Sequence, residues 1–451
     1  MQMNLQPSEI DTGFITFCGI FPFSTDDFID KYPCNSNAPY GDWWQHLMSN
    51  GSDFFFRTNY YPNFTNIILS NKCANQQSQE KENLTHLYLK DVSAFSNLEL
   101  LVAKKDASYK LTFRITKIDI YFFSEKLSSY KKERLGLYSF TTELTCTAVT
   151  KENISDFINV IRVFDRKDCI IFDNLSYSPL QFIEKFIIKK SIPYEYMLLL
   201  GNKLKSFTII NLSQPPENWD DILYDIGTVS PIGTSKSDNF FAPSREYITQ
   251  LIGENKISVF NNWSALTLFD TFTCILHGWK REGLEQTWCE TYCLIYIHCL
   301  HLKFYLYAVN TELADITEIK SNSNELKNNF IEFVNDYNLM HLSYNFLPNL
   351  LYDKIRHSLE IQSEIEMMEK KVERLDVIFN EQRENRMNQF LTLLALLSVG
   401  SVLWDVTEFI RSMSDINEEK FYPWGSWIVL IIFMSGFSIY LFLKYIKKKT
   451  L

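Results

Sequence analysis

The residues best able to bind a metal or act as nucleophiles crowd into one short stretch, where Cys289, Cys293, His298, Cys299 and His301 occur together. On a helix Cys289 and Cys293 would share a face, so a zinc site can be drawn with them. The surrounding run is mostly apolar, however, and the two histidines lack the paired spacing of zinc motifs. The pattern therefore favours core residues over a metal site.

Two segments that mix polar and aromatic residues have the composition of a ligand site. Trp219 follows a diproline and precedes two aspartates, and Trp263 follows two asparagines. Indole rings stack on purines, carboxylates accept hydrogen bonds from ribose or amines, and arginine binds phosphate, so a nucleotide could be held this way. The alternative is tryptophan in the core and charge on the surface. The candidate ligand-binding residues are Arg162, Arg166, Trp219, Asp220, Asp221 and Trp263.

Signatures of catalysis are absent from the sequence. It contains no phosphate-binding loop, no Gly-x-Gly-x-x-Gly turn, no Gly-x-Ser-x-Gly elbow and no His-Glu-x-x-His, and its seven histidines are scattered. We therefore expect no enzyme. The formal charge of −10 argues against direct binding to nucleic acid. Nine cysteines without framework spacing suit a reducing cytosol.

The elements that must position these residues lie in residues 1–345, where strand-like and helix-like segments alternate, so we predict a mixed α/β domain. Apolar and aromatic runs at residues 115–123 and 135–146 predict an antiparallel hairpin, and residues 207–212 a further strand. The polar residues 71–83 predict an exposed loop. The predicted helices are residues 155–163, with Ser155 as cap, 244–253, 263–277, 287–302 and 324–335.

The last hundred residues combine a coiled-coil pattern with an apolar run. Steps of four and three define a heptad seam, and residues 387–404 then carry no charge. A helix over residues 352–404 would be roughly 80 Å long, so we predict a stalk that continues into a membrane span. The seam could pack within one subunit or between subunits. Its members are Ile361, Ile365, Met368, Val372, Leu375 and Phe379.

A second uncharged run, residues 424–443, predicts a second membrane span. Lysines follow it at positions 444 and 447–449, which favours a cytosolic C-terminus, and two spans then place the N-terminal domain in the cytosol too. The start of the chain has no basic leader or long apolar core, so we expect no signal peptide. The expected location is the inner (cell) membrane, with both termini cytoplasmic. A buried helical hairpin in a soluble protein is the alternative.

Short motifs in this region resemble the CorA-type divalent-cation channels. They are Asn385, Leu391-Thr392, Ala395, an acidic loop containing Met413, and Trp424-Gly425 before a lysine-rich end. The resemblance implies a homopentameric funnel in which an α/β cytosolic domain is followed by a long stalk helix and two transmembrane helices. The implied segments are residues 1–345 (sensor domain), 346–386 (stalk), 387–410 (first span), 411–423 (outer loop), 424–444 (second span) and 445–451 (tail).

One departure from that family bears on function. The position of its Gly-Met-Asn outer mouth holds Phe409-Ile410-Arg411 here, which puts ordinary magnesium uptake in doubt. Matching the motifs implies the pore-lining residues Asn385, Asn388, Leu391, Val399, Val402, Glu408 and Arg411.

Three functions remain open at this point. Degenerate CorA-like proteins accompany type III CRISPR antiviral defence, so the resemblance implies an effector that permeabilises the membrane when a nucleotide second messenger binds. That messenger would be an adenine nucleotide, either cyclic oligoadenylate or SAM-AMP. The alternatives are a magnesium or other divalent-cation channel and a membrane-tethered scaffold without a pore. Membrane lipids and further copies of the chain are the expected partners.

Overall fold

The computed structural model describes most of the N-terminal part of the chain and one long C-terminal helix. The described residues are 9–24, 43–45, 56, 58–68, 85–89, 92–104, 108–126, 133–167, 169–237, 239, 242–315, 323–413, 431 and 435. The chain divides into two compact units, Met1–Glu369 and Lys370–Leu451. The predicted loop at residues 71–83 and the predicted span at residues 424–443 lie outside the described residues.

Twelve strands of the described chain form one mixed sheet in the first unit. Their order is β10-β11-β12-β9-β1-β6-β5-β4-β7-β8, and β3 pairs with both β2 and β5. Neighbours are antiparallel except β9 and β12, which run parallel. The strands are Ile10–Ser24 (β1), Trp43–Gln45 (β2), Thr85–Leu89 (β3), Leu98–Ala103 (β4), Ser108–Lys126 (β5), Glu133–Leu144 (β6), Ile170–Phe172 (β7), Leu175–Tyr177 (β8), Lys205–Leu212 (β9), Lys256–Ile257 (β10), Trp263–Thr267 (β11) and Thr271–His277 (β12).

Helices surround this sheet and then continue towards the C-terminus. Wide π-helical turns, Ile183–Ile187 and Glu285–Tyr292, follow α3 and join α7 to α8. The helices are Pro62–Ile68 (α1), Lys151–Ile161 (α2), Pro179–Phe182 (α3), Tyr194–Leu199 (α4), Trp219–Gly227 (α5), Arg245–Asn255 (α6), Arg281–Leu284 (α7), Cys293–Asp315 (α8), Ser323–Tyr337 (α9), Phe346–Ser358 (α10) and Ile361–Met413 (α11).

The two faces of the sheet are covered by different helices. On one face α2 packs through Phe157 against Phe17 of β1 and Phe113 of β5. On the other face Tyr296 of α8 packs against Phe207 of β9. Because successive side chains of a strand point to opposite faces, strands covered on both sides become apolar throughout. The α/β class predicted from the sequence is confirmed.

Several predicted elements are also confirmed. The hairpin at residues 115–123 and 135–146 is β5 and β6, with Ile118 opposite Phe140. The strand at residues 207–212 is β9, and the helix at residues 244–253 is α6, capped by Ser244. Helix α2 starts earlier than predicted because Thr150, rather than Ser155, accepts the capping bond from a backbone N–H. Ser155 lies inside α2, where its hydroxyl donates to the Ser230 carbonyl at 2.7 Å.

The helix predicted over residues 263–277 is wrong. This segment forms β11 and β12, a hairpin at one side of the sheet in which Trp263 lies opposite Leu276. Every residue from Trp263 to Thr267 is buried. A strand buried on both faces loses the alternation of apolar and polar residues, so its pattern cannot be told from that of a buried helix.

The single unbroken helix predicted over residues 352–404 is also wrong. Helix α10 ends at Ser358, and α11 begins at Ile361. Glu360 between them has φ of +56°, a left-handed conformation that ends a helix. The predicted stalk, residues 346–386, therefore contains two helices.

The first half of the heptad seam is used inside the first unit. Ile361, Ile365 and Met368 are 0%, 2% and 0% exposed, so these positions pack within the subunit rather than between subunits. The alternative that the seam packs within one chain is confirmed for these three residues. The side chains of Leu375 and Phe379 lie outside the described residues.

Candidate functional site

Two helical runs of the described chain are long and apolar enough to cross a membrane, and their surroundings differ. The run Arg281–Thr311 includes most of α8, and 89% of its apolar 18-residue window is buried inside the fold. The run Arg383–Phe409 of α11 is 0% buried. Apolar residues that face water carry an unfavourable free energy. The first run is a core helix, and the second has no apolar environment among the described residues.

Six of the seven predicted pore residues, all except Arg411, are exposed on α11, and most share one side of it. At about 100° per residue, Asn385, Asn388, Leu391, Val399 and Val402 fall within an arc of about 120°. Leu391, Val399 and Val402 are 54%, 56% and 58% exposed. These five residues form what we call the polar-entry face, since its two asparagines come first along the chain.

Glu408 and Arg411 do not belong to that face. The helix continues to Met413 without a break, and a regular helix places positions 408 and 411 about 140° to 160° from the centre of the polar-entry face. The outer loop predicted from residue 411 therefore starts later, because Arg411 is still helical. A straight helix cannot direct all seven predicted residues towards one axis.

The predicted ligand-binding residues are not gathered into one site. Trp263 is 2% exposed, and its ring packs edge-on against Trp288, on the face of the sheet covered by α8. Helix α5, which carries Trp219, packs on the opposite face, where Gly227 lies against Leu266. The sheet thus separates the two tryptophans.

Asp220 and Asp221 lie at the first turn of α5 but have different surroundings. The Asp220 carboxylate accepts a bond from Lys256 at 2.6 Å. Asp221 is 8% exposed and lines a cleft of about 540 Å³, which we call the acidic cleft, together with Asn218 and Asp225. Its carboxylate accepts a bond from the Asn218 amide at 2.8 Å and lies 3.5 Å from the Lys236 ammonium.

Asp225 of the acidic cleft is already fully engaged. Its carboxylate accepts bonds from the backbone N–H groups of Gly233 and Ser235, at 2.7 and 2.8 Å, and from the Ser235 hydroxyl. Burial nevertheless raises its pKa, since those hydrogen bonds only partly offset the loss of water. The carboxylate therefore serves to fold the loop after α5.

Arg162 and Arg166 lie at the C-terminal end of α2, whereas the acidic cleft lies at its N-terminal end. Lys151 at the start of α2 lines that cleft, whereas Arg162 caps the C-terminal end, about 16 Å further along the helix. The Nε of Arg162 is buried and has no hydrogen-bond partner among the described residues. Burial lowers its pKa, and nearby Asp270 opposes that shift.

A second cavity, of about 470 Å³, opens close to Arg162 and contains residues that the sequence analysis missed. Its walls include Lys203 just before β9, Lys205 at the start of β9, and Phe269 and Asp270 of the turn between β11 and β12. Tyr307 of α8 completes it. We call this the lysine cavity.

The lysine cavity contains a charged side chain, Lys205, that is almost completely buried. The Lys205 ammonium donates to the Asp270 carboxylate, although Lys205 is only 2% exposed. Burial lowers the pKa of Lys205, Asp270 raises it, and Arg162 and Lys303 lower it further. Lys303 is itself paired with Glu364, so at the cavity Lys203, Lys205 and Arg162 face one carboxylate, and positive charge is in excess.

A lone charged residue inside an apolar run is the sequence signal that could have revealed this cavity. Lys303 is the one charged residue between Cys293 and Thr311, and it is 1% exposed. Lysine is almost never fully buried unless it is paired, so its position predicts a buried partner. That partner is Glu364, 2.5 Å away in the first turn of α11.

Four members of the cysteine and histidine group are part of the core, as predicted, and Cys289 is half-buried. Cys293, His298, Cys299 and His301 are each at most 5% exposed, and the His301 ring stacks on Phe123 at 3.4 Å. Burial raises the pKa of the Cys293 thiol to about 12, so it is protonated and unreactive. Among the described residues, no group of three or more histidine, cysteine or acidic side chains could hold a metal ion.

The arrangement so far defines a mixed α/β sheet domain followed by helices, two of which have the length and composition to cross a membrane. Comparison with protein-family models found no match, and comparison with curated proteins found none either.

Proposed function

We propose that this chain is a membrane protein in which α11 crosses the bilayer and the sheet domain binds a ligand that controls it. The observation that carries the proposal is the run Arg383–Phe409, 27 residues without a buried position. At 1.5 Å per residue it is about 40 Å long, more than the apolar thickness of a bilayer, about 30 Å. Lipid would supply the apolar surroundings that the described part of the chain does not.

The polar-entry face supports a pore built from several copies of α11. One helix cannot enclose a pore, so a channel needs a homo-oligomer, and the CorA-like resemblance makes a pentamer the preferred number. Asparagine amides on that face can replace water around an ion, and rings of leucine and valine can close a pore by dewetting. The second span, residues 424–444, and the cytosolic position of both termini in the cell membrane belong to the same proposal.

The ligand that fits the proposal is an adenine-nucleotide messenger such as cyclic oligoadenylate or SAM-AMP, and the function is membrane permeabilisation in antiviral, type III CRISPR-associated defence. The excess of positive charge around Lys205 favours an anionic ligand over Mg²⁺. The Gly-Met-Asn motif of the CorA outer mouth is also absent from this sequence, which disfavours ordinary magnesium uptake. A ligand opens such a channel only if it binds the open state more tightly.

Flux from liposomes containing the purified full-length protein tests this function. We expect release of a small dye that depends on an adenine-nucleotide messenger and that Mg²⁺ does not replace. Magnesium-controlled flux of divalent cations without any nucleotide effect would establish the magnesium channel instead. If the protein is inserted in the membrane but gives no flux under either condition, the remaining function is a membrane-tethered scaffold without a pore.

A further inference from the structure

We propose that the lysine cavity is the binding site for a phosphate-bearing ligand and that the Lys303–Glu364 pair links its occupancy to the first turn of α11. The inference rests on the proposed function, since it names the site and the route of control. Both the cavity and the pair lie within the first unit of the chain.

The charges around the cavity favour an anion. Lys203 and Lys205 line it, and Arg162 is close enough to act on both Lys205 and Asp270. Asp270 is 35% exposed, whereas the Lys205 side chain is 3% exposed and cannot turn out to water. A phosphate group would therefore offset a cation that is already held in place, and charge-assisted bonds to phosphate are among the strongest available.

The remaining walls suit the other part of a nucleotide. The Phe269 ring is 38% exposed at the cavity, and the Tyr307 ring also lines it. Aromatic rings stack on bases whatever their sequence. Asn310 and Thr311 add polar groups that can accept or donate hydrogen bonds. A volume of about 470 Å³ lies within the range of small-molecule sites.

The same aromatic rings contact the pair that fixes α11. The Lys205 ammonium lies 4.5 Å from the centre of the Phe269 ring, and the Lys303 ammonium lies 5.0 Å from the same ring. Lys303 also lies 4.5 Å from the Tyr307 ring. Residues that a ligand would touch are therefore in direct contact with Lys303.

Glu364 connects this contact to the long helix. Its carboxylate accepts bonds from Lys303, at 2.5 Å, and from the Tyr307 hydroxyl. Its backbone N–H donates to the Glu360 carbonyl at the helix start. A ligand that draws Lys205 from Asp270, or that shifts Phe269 and Tyr307, changes the surroundings of both groups that hold Glu364. Binding of a ligand in the lysine cavity therefore alters the contacts that hold the first turn of α11.

Binding is tested with ATP and with inorganic pyrophosphate on the full-length protein in detergent. We expect ATP to bind more tightly than pyrophosphate, and Lys203→Ala to weaken ATP binding about tenfold, the loss typical of one charge-assisted bond. Lys236→Ala, which removes an equal charge from the acidic cleft, is the matched control and should leave binding unchanged. Equal effects of the two variants, or no ATP binding at millimolar concentration, would overturn the site.

The link is tested by hydrogen exchange of residues 361–369. ATP should change exchange there in the unaltered protein, and Glu364→Gln should abolish that response while ATP affinity stays within about twofold. Glu366→Gln, the same change at an exposed position of α11, is the control. An unchanged ATP response in the Glu364→Gln variant would exclude the link. Neither readout uses flux. ATP binding without any flux would therefore support the site and the link while contradicting the channel, and flux without ATP binding would contradict the site alone.

Discussion

Helix α8 and the apolar part of α11 are built from similar residues but have opposite environments. In α8, Leu300, Leu302 and Leu306 are each 0% exposed under the sheet, whereas Leu394 and Leu397 of α11 are 42% and 50% exposed. Apolar length alone therefore does not distinguish a core helix from a membrane helix. What distinguishes them is whether the rest of the chain supplies apolar partners.

The charged residues at the two helices differ in the same way. Lys303 of α8 is paired with Glu364 and buried, so its charge is part of a folded core. In the run Arg383–Phe409 of α11 the charged residues are Arg383, Glu384 and Arg386 at one end and Asp405 and Glu408 at the other, with none between. Flanking charges of this kind can remain in water while the helix between them is in lipid.

The largest expected effect comes from a charge placed in α8. Leu300→Lys should destabilise the sheet domain by about 4 kcal/mol or more, because an unpaired ammonium would replace a fully buried side chain. Thermal unfolding in detergent measures it, with Leu300→Met as a control of similar volume. A melting temperature within a few degrees of the control would contradict the assignment of α8 to the core.

The same charge in α11 should affect the membrane and leave the fold intact. Leu397→Lys should cost about 3 kcal/mol of membrane insertion, the usual value for lysine at the centre of a spanning helix. Its unfolding in detergent should match the parent protein. Alkaline extraction of membranes measures the insertion, and Leu397→Phe serves as the apolar control. Full retention of the lysine variant in the membrane pellet would argue that this run does not span.

Acidification should destabilise the core around α8 without protonating any histidine in the apolar run of α11. Burial lowers the pKa of His298 in α8 to about 3, below the value of about 6.5 for an unfolded chain. The neutral form is therefore favoured by folding, and stability is complete above about pH 6.5 and falls by about 1.4 kcal/mol per unit towards pH 3. The run Arg383–Phe409 contains no histidine.

At pH 5 the loss from His298 amounts to about 2 kcal/mol. His298→Gln should make the stability of the sheet domain less dependent on pH between 5 and 7, as measured by denaturant unfolding at each pH. His341→Gln, at an exposed position, provides the comparison. The same slope in parent and His298→Gln would show that this histidine already takes up a proton in the folded state.

Features carried by one continuous pattern could be predicted from the sequence. The β5–β6 hairpin was found because apolar and aromatic residues filled both runs, and the apolar run of α11 was found because no charge interrupts it. The β11–β12 hairpin was missed because both faces are buried, which removes the strand period. The break at Glu360 was missed because no glycine or proline marks it.

The lysine cavity could not be derived from a pattern at all. Lys205, Asp270, Lys303 and Glu364 come from β9, a turn, α8 and α11, and only the folded sheet brings them together. The candidate residues Arg162, Asp220 and Trp263 are kept apart by the fold for the same reason. Composition indicated suitable chemistry at each residue, but sequence distance gave no information on which face of the sheet each would occupy.

The smallest expected effect tests the polar-entry face itself. Leu391 lies on this face, whereas Leu397 lies about 180° from its centre, and the two are 54% and 50% exposed. Leu391→Ser should raise the basal leak of ions from liposomes several-fold, because a hydroxyl wets a constriction that a ring of leucines keeps dry. Leu397→Ser makes the same chemical change on the side assigned to lipid and should leave the leak at the level of the parent. Flux of a small cation from liposomes with equal protein content measures both variants. Equal leaks would mean that α11 has no side facing a pore, and the helix would then serve only to hold the sheet domain at the membrane.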